Sequence, residues 1–91
     1  MATELHVNDL EYIPKANLAK VKIAIICTEW NTRLTSAMGD AAYYKLKELG
    51  VTPDHIDFYN VPGSFELTFA AAKVVEGDEY AAAIVFGCVI R

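Results

Sequence analysis

The stretch Tyr59-Asn60-Val61-Pro62-Gly63-Ser64-Phe65-Glu66-Leu67 decides how the chain is read. An apolar, β-branched and aromatic segment runs into a Pro-Gly turn, then a small polar residue, then a run of helix formers. That order predicts a strand, a tight turn and a helix start. Pro62 removes a backbone donor and ends sheet pairing. Gly63 permits a left-handed or very close backbone. Ser64 is a good N-cap, and Glu66 falls in the first helical turn, where the helix dipole favours a carboxylate. In an open α/β sheet, ligands bind at the carboxyl ends of strands, where such a turn lies. Many Pro-Gly turns into capped helices bind nothing, so the turn alone is a hypothesis.

Working outward, Val21 to Cys27 is a nearly continuous apolar run, the mark of a strand buried on both faces. Thr28-Glu29-Trp30-Asn31 forms the loop after it. A helix is predicted over 33–49, with Leu34, Met38, Ala42, Leu46 and Leu49 as one apolar face. Asn31 or Thr32 can cap it; Gly50 and Val51 close it. Thr52-Pro53-Asp54 is a short turn, and the second strand runs from His55 to Val61, with Ile56 and Phe58 on one face and Tyr59 and Val61 on the other. The second helix runs from Ser64 to Glu76 and ends at Gly77. The third strand covers 81–86 and leads into Gly87-Cys88-Val89-Ile90-Arg91. The β-α-β-α-β order implies parallel strands with right-handed crossovers, an α/β layered sheet. Its strand ends, near Trp30, Val61 and Cys88, should meet on one edge. Residues 1–20 alternate poorly and contain Pro14; they read as an extended arm before a domain over 21–91.

At 91 residues the chain holds at most one small domain, and 54% of its residues are hydrophobic. Such a composition predicts burial against more of its own subunit or against other subunits. The net charge of −4 argues against a nucleic-acid backbone as partner. No apolar run reaches membrane-spanning length, and the first residues do not form a signal peptide. Cys27 and Cys88, each inside an apolar segment, point to reduced thiols and a cytoplasmic location.

No dinucleotide-binding or P-loop motif is present, and Cys27 and Cys88 lack partners at metal-ligand spacing. If their strands are adjacent the two cysteines can form a redox pair, although buried, inert thiols suit their segments better. His6 and His55 read as structural or solvated, and Lys15, Lys20 and Lys22 as a solvated face. Trp30 can stack on a planar heterocycle or pack against the arm or a neighbouring subunit. Glu66 can accept hydrogen bonds from a polyol or simply stabilise its helix.

Trp30-Asn31 with Leu34-Thr35-Ser36 resembles the [FW]-N-x-x-[IL]-T segment of 6,7-dimethyl-8-ribityllumazine synthases. Val61-Pro62-Gly63-Ser64-Phe65-Glu66-Leu67 resembles their V-P-G-[AS]-[FW]-E-[IL] turn, and Gly87-Cys88-Val89-Ile90-Arg91 their G-x-[VL]-I-R strand end. The blocks occur in family order over about 21–91. The resemblance implies a flavodoxin-like, three-layer α/β fold, present here as a β-α-β-α-β portion. It implies homopentamers, in many members packed into a sixty-subunit icosahedral shell. It also implies a cofactor-free condensation in riboflavin synthesis: a ribitylaminopyrimidinedione joins 3,4-dihydroxy-2-butanone 4-phosphate, releasing water and phosphate. By position, Trp30 matches the aromatic residue that stacks on the pyrimidine. Ser64 and Phe65 match residues whose backbone holds the substrate. Glu66 matches the carboxylate that binds the ribityl chain, and Cys88, Val89 and Ile90 the strand end lining the ring pocket.

In the family the I-R pair continues into G-x-T-x-H-F-D, which supplies phosphate-binding groups and a proton-handling histidine. These lie beyond Arg91, so no catalytic residue is assigned within this sequence. The chain therefore reads as the N-terminal portion of a subunit, active only with a complementary C-terminal portion. The competing expectation is a non-catalytic module that binds a flavin-like ring or builds a shell.

Overall fold

The computed structural model describes residues 18–90. Positions 1–17, most of the expected arm, and Arg91 lie outside the described residues, as do His6, Pro14 and Lys15. The elements are β1 (Ile23–Thr28), α1 (Thr32–Glu48), β2 (Ile56–Val61), α2 (Ser64–Glu76) and β3 (Ala82–Phe86). Short 3-10 turns precede β1 (Leu18–Lys20) and β2 (Pro53–His55). His55 thus belongs to the turn rather than the strand, because its N–H closes onto the Thr52 carbonyl at 2.8 Å.

The sheet has three strands in the order β2-β1-β3. Both pairings are parallel, with Ile25 opposite Phe58 on one side and Ile84 on the other. The chain crosses from β1 to β2 in one direction and from β2 to β3 in the other. Right-handed crossovers then put the helices on opposite faces. Accordingly, Gly39 of α1 lies over Ile25, Cys27 and Phe58, while α2 faces Ile26, Tyr59 and Val61 across a cleft. A central β1 with a helix on each face is the flavodoxin-like arrangement.

β1 is buried along its whole length. The core comprises Ile23, Ile25, Cys27, Val51 and Ile56, backed by Leu18, Val21, Ala42, Tyr43, Leu46, Ala82, Ile84 and Phe86. The face that α1 buries is rotated from the expected one. Leu34 and Leu49 are exposed, whereas Thr35 and Gly39 are buried. The reason is the close approach of helix to sheet: a Cβ on Gly39 would stand 2.8 Å from Cys27 Sγ. Small residues line the contact, and the large leucines at 34 and 49 fall to its sides. α1 ends as expected. Gly50 has φ 109°, its N–H bonds the Lys47 carbonyl, and Val51 N–H bonds the Leu46 carbonyl at 2.9 Å, the paired closure of a Schellman motif.

Candidate functional site

The carboxyl ends of the strands are tied to one another by backbone bonds. Glu29 N–H donates to the Val61 carbonyl at 2.7 Å, and Trp30 N–H donates to the Pro62 carbonyl at 3.1 Å. The β1 loop and the β2 turn therefore continue the ladder beyond Thr28. Gly87, just after β3, packs on the start of α2: a Cβ there would meet Leu67 Cδ1 at 2.7 Å and Ser64 Oγ at 2.8 Å. Any larger residue at 87 would have to displace these two side chains. The loop after β1, the turn after β2 and the segment after β3 thus meet at one edge.

Trp30 presents its indole to solvent (64% exposed) while its backbone is held at both ends. Its carbonyl accepts from Thr28 Oγ1 at 2.9 Å, and its N–H is the one bonded to Pro62. Asn31 follows in the left-handed region, φ 59°. It occupies the N-cap of α1 without a side-chain capping bond, so its expected capping contribution is backbone only.

The start of α2 differs from expectation in two ways. Gly63, not Ser64, is the N-cap, and Ser64 is the first helical residue. Of the two conformations expected for Gly63, left-handed or closely approached, it takes the second, with extended backbone (φ −149°, ψ 179°). The expected hydroxyl cap is absent, and Glu66 makes a different contact: its Oε1 accepts from the N-cap N–H of Gly63 at 2.7 Å, the reaching-back half of a capping box. Glycine suits position 63 because a Cβ there would crowd that oxygen at 3.2 Å. The carboxylate is thereby fixed at the mouth of the turn, and among the described residues only its Oε1 is hydrogen-bonded. Phe65 is 95% exposed, and Val89 and Ile90 are also exposed. Cys88 is half-buried with a free thiol.

A cleft of about 570 Å³ opens beside this edge, between β2 and α2. Asn60, Val61, Pro62 and Glu66 line its near end, and Tyr59, Phe69, Lys73 and Tyr80 its length. Of the residues singled out from sequence, only Glu66 lines it; Trp30, Ser64, Phe65, Cys88, Val89 and Ile90 surround the loop ends instead.

The far end of the cleft carries a polar network that the sequence did not reveal. Lys22, expected on a solvated face, pairs with Glu79 and with Asp57 (3.6 Å). Tyr80 donates its hydroxyl to Asp57, and its oxygen meets the Tyr59 hydroxyl. The bond to Asp57, then that to Tyr59, pushes the Tyr80 phenol well above its ordinary range. The hydrogen bond to Glu79 raises the Lys22 ammonium despite some desolvation. Residues 22, 57 and 79 are distant in sequence, so only the parallel register brings them together. His55 is structural, its Nδ1 lying 3.0 Å from the Ala19 carbonyl. Cys27 and Cys88 are both free. Burial, with a smaller effect of Asp40, raises the Cys27 thiol, which suits an inert core residue.

A parallel sheet of this order, whose loops converge on a solvent-facing aromatic and a fixed carboxylate, defines a flavodoxin-like α/β protein; open sheets of this class bind ligands at the carboxyl ends of their strands. Comparison with known proteins makes that class specific. The family model for 6,7-dimethyl-8-ribityllumazine synthase matches residues 20–91, and the chain belongs to that family. A 6,7-dimethyl-8-ribityllumazine synthase of Parabacteroides distasonis is 41% identical, over 91% of this chain and 51% of the relative. Those of Porphyromonas gingivalis and Phocaeicola vulgatus are 39% and 35% identical over the whole chain, covering 57% and 55% of their own length. The chain spans about half the length of the curated relatives it matches. Among the described residues no helix is long and apolar enough to cross a membrane.

Proposed function

We propose that this chain carries the ring- and ribityl-binding half of a lumazine synthase site, and that turnover needs the remaining half of the family's length as well. The full reaction is the condensation of 5-amino-6-ribitylaminopyrimidinedione with 3,4-dihydroxy-2-butanone 4-phosphate. The observation that carries this reading is the meeting of the Trp30 loop, the Pro62–Glu66 turn and the Gly87–Ile90 segment at one edge. Trp30 stacks on the pyrimidine ring. Backbone groups of Ser64 and Phe65 hold the substrate, and the free oxygen of Glu66 accepts from ribityl hydroxyls. Cys88, Val89 and Ile90 line the ring pocket. The protein's part in catalysis is chiefly to hold two reactive substrates together; proton transfer and phosphate binding fall to the half of the family's length that residues 1–91 do not cover. The reading includes pentamers or a sixty-subunit shell, a cytoplasmic location and a complementary C-terminal portion.

The test mixes both substrates with the protein, alone and with the C-terminal half of a family member, and follows the fluorescence of the lumazine product. Product only in the complemented mixture is expected. No product in either mixture, with the halves shown to associate, would overturn the catalytic reading. A second reading, a ring-binding or shell-building module without chemistry, is favoured by the exposed aromatics Phe65 and Phe69 on α2.

A further inference from the structure

Thr35 is a buried polar side chain on α1, with no exposed surface. Its Oγ1 donates to the carbonyl of Thr28 at 2.7 Å. A hydroxyl has one proton to give, and the carbonyls of Asn31 and Thr32 are farther off at 3.4 Å. Thr28 ends β1, and its own hydroxyl donates to the Trp30 carbonyl at 2.9 Å. The Trp30 N–H is bonded across to Pro62. Asn31, the next residue, turns the chain in the left-handed region (φ 59°), which asparagine adopts more readily than other L residues. The loop is thus tied at its entry by the Thr35 and Thr28 hydroxyls and in its middle by the Trp30 N–H.

We propose that Thr35 is a positioning residue for Trp30. Its hydroxyl fixes the last carbonyl of β1, Thr28 relays that position to the Trp30 carbonyl, and the backbone that carries the indole is held beside Pro62. The bond is buried, so water cannot replace it, and a valine of the same shape would leave the Thr28 carbonyl unpaired. A serine keeps the donor. The inference rests on the ring-stacking role proposed for Trp30, and it assigns the placement of that ring to a helix residue that does not face the ligand.

Trp30 is the sole tryptophan, so its emission and acrylamide quenching report its placement directly. These are measured in the protein and in Thr35→Val, Thr35→Ser, Thr28→Val and Val51→Ala; affinity for 6,7-dimethyl-8-ribityllumazine is measured in all of these and in Trp30→Ala. Thr35→Val should change the Trp30 emission and weaken binding about tenfold, while Thr35→Ser stays within about threefold. Thr28→Val, which cuts the relay nearer the indole, should shift the emission in the same sense and serves if Thr35→Val does not fold. Val51→Ala removes buried apolar volume past the far end of α1; it should lower stability and leave both readouts unchanged. Unaltered emission in Thr35→Val or Thr28→Val, or an equal change in Val51→Ala, overturns the inference. If Trp30→Ala binds the lumazine as well as the parent while Thr35→Val still shifts the emission, the ring-stacking reading fails and the positioning geometry stands.

Discussion

On the α1 side of the sheet, Ile23, Ile25, Cys27, Val51 and Ile56 close into a dry core. On the α2 side, no residue of α2 is buried, and Tyr59, Val61 and Phe69 border an open cleft. Yet α2 reads as the more apolar helix, with Phe65, Leu67, Phe69, Val74 and Val75 among its residues. Burial therefore does not follow hydrophobicity here. α1 is amphipathic and approaches closely through Gly39, so it satisfies one face. α2 carries apolar surface beyond what a three-stranded sheet can cover, and that excess faces the cleft and the ligand edge. The α1 face closes into the core; on the α2 face Ala24 and Ile26 of β1 are buried, but the helix itself leaves apolar surface available to ligands or further protein surface.

The sharpest way to break this contrast is to cut one residue on each face. Ile25→Ala, at the centre of β1 and fully buried, should cost roughly 2–5 kcal/mol in urea unfolding. Phe69→Ala, which is largely exposed, should cost less than about 1 kcal/mol. Comparable losses would show that α2 is packed as tightly as α1. Next in size are the variants that test how closely α1 sits. Gly39→Val should cost about 1–3 kcal/mol by overpacking against Cys27 Sγ, 2.8 Å from the added Cβ. Gly50→Ala should cost about 1–2 kcal/mol because φ there is 109°.

At the edge between the faces, Glu66→Gln should weaken a ribityl-bearing ligand by roughly 1.5–3 kcal/mol, the range for a hydrogen bond to a charged group. Calorimetric titration measures this, and unchanged affinity removes Glu66 from the site. The smallest effect belongs to the far end of the cleft. Tyr80 has a folded pKa above its ordinary value of 10, and Lys22 is raised in the same direction. Their contribution is complete below the unfolded values and is lost as pH rises through the folded ones. The melting temperature should therefore fall above pH 10, and Tyr80→Phe should flatten that fall. An identical alkaline slope in Tyr80→Phe would assign the loss to other groups.

Strand and helix identities were legible in the sequence because hydrophobic run length, Pro62, Gly50 and Gly77 are local signals. α2 matches its expected span, and the meeting of the three strand ends followed from parallel topology. What was not legible depends on distance in space. The buried face of α1 turns on how near the helix lies to Cys27, and no periodicity encodes that. Gly63, not Ser64, is the N-cap, and the Glu66 carboxylate three residues on reaches back to the Gly63 N–H; the S-F-E order allows either position. The Lys22–Asp57–Glu79–Tyr80 network needs the strand register before it can be seen. Thr35 stood in the family block with Trp30 and Asn31, but the block gave it no role; its hydroxyl on the Thr28 carbonyl appears only in the fold.

The most direct measurement follows Trp30 emission during titration with 6,7-dimethyl-8-ribityllumazine, in the protein and in Glu66→Gln. Saturable quenching, shifted to higher ligand concentration by the substitution, is expected if the loop after β1 and the turn after β2 form one site. Quenching that does not saturate, or that Glu66→Gln leaves in place, would contradict a shared ligand edge.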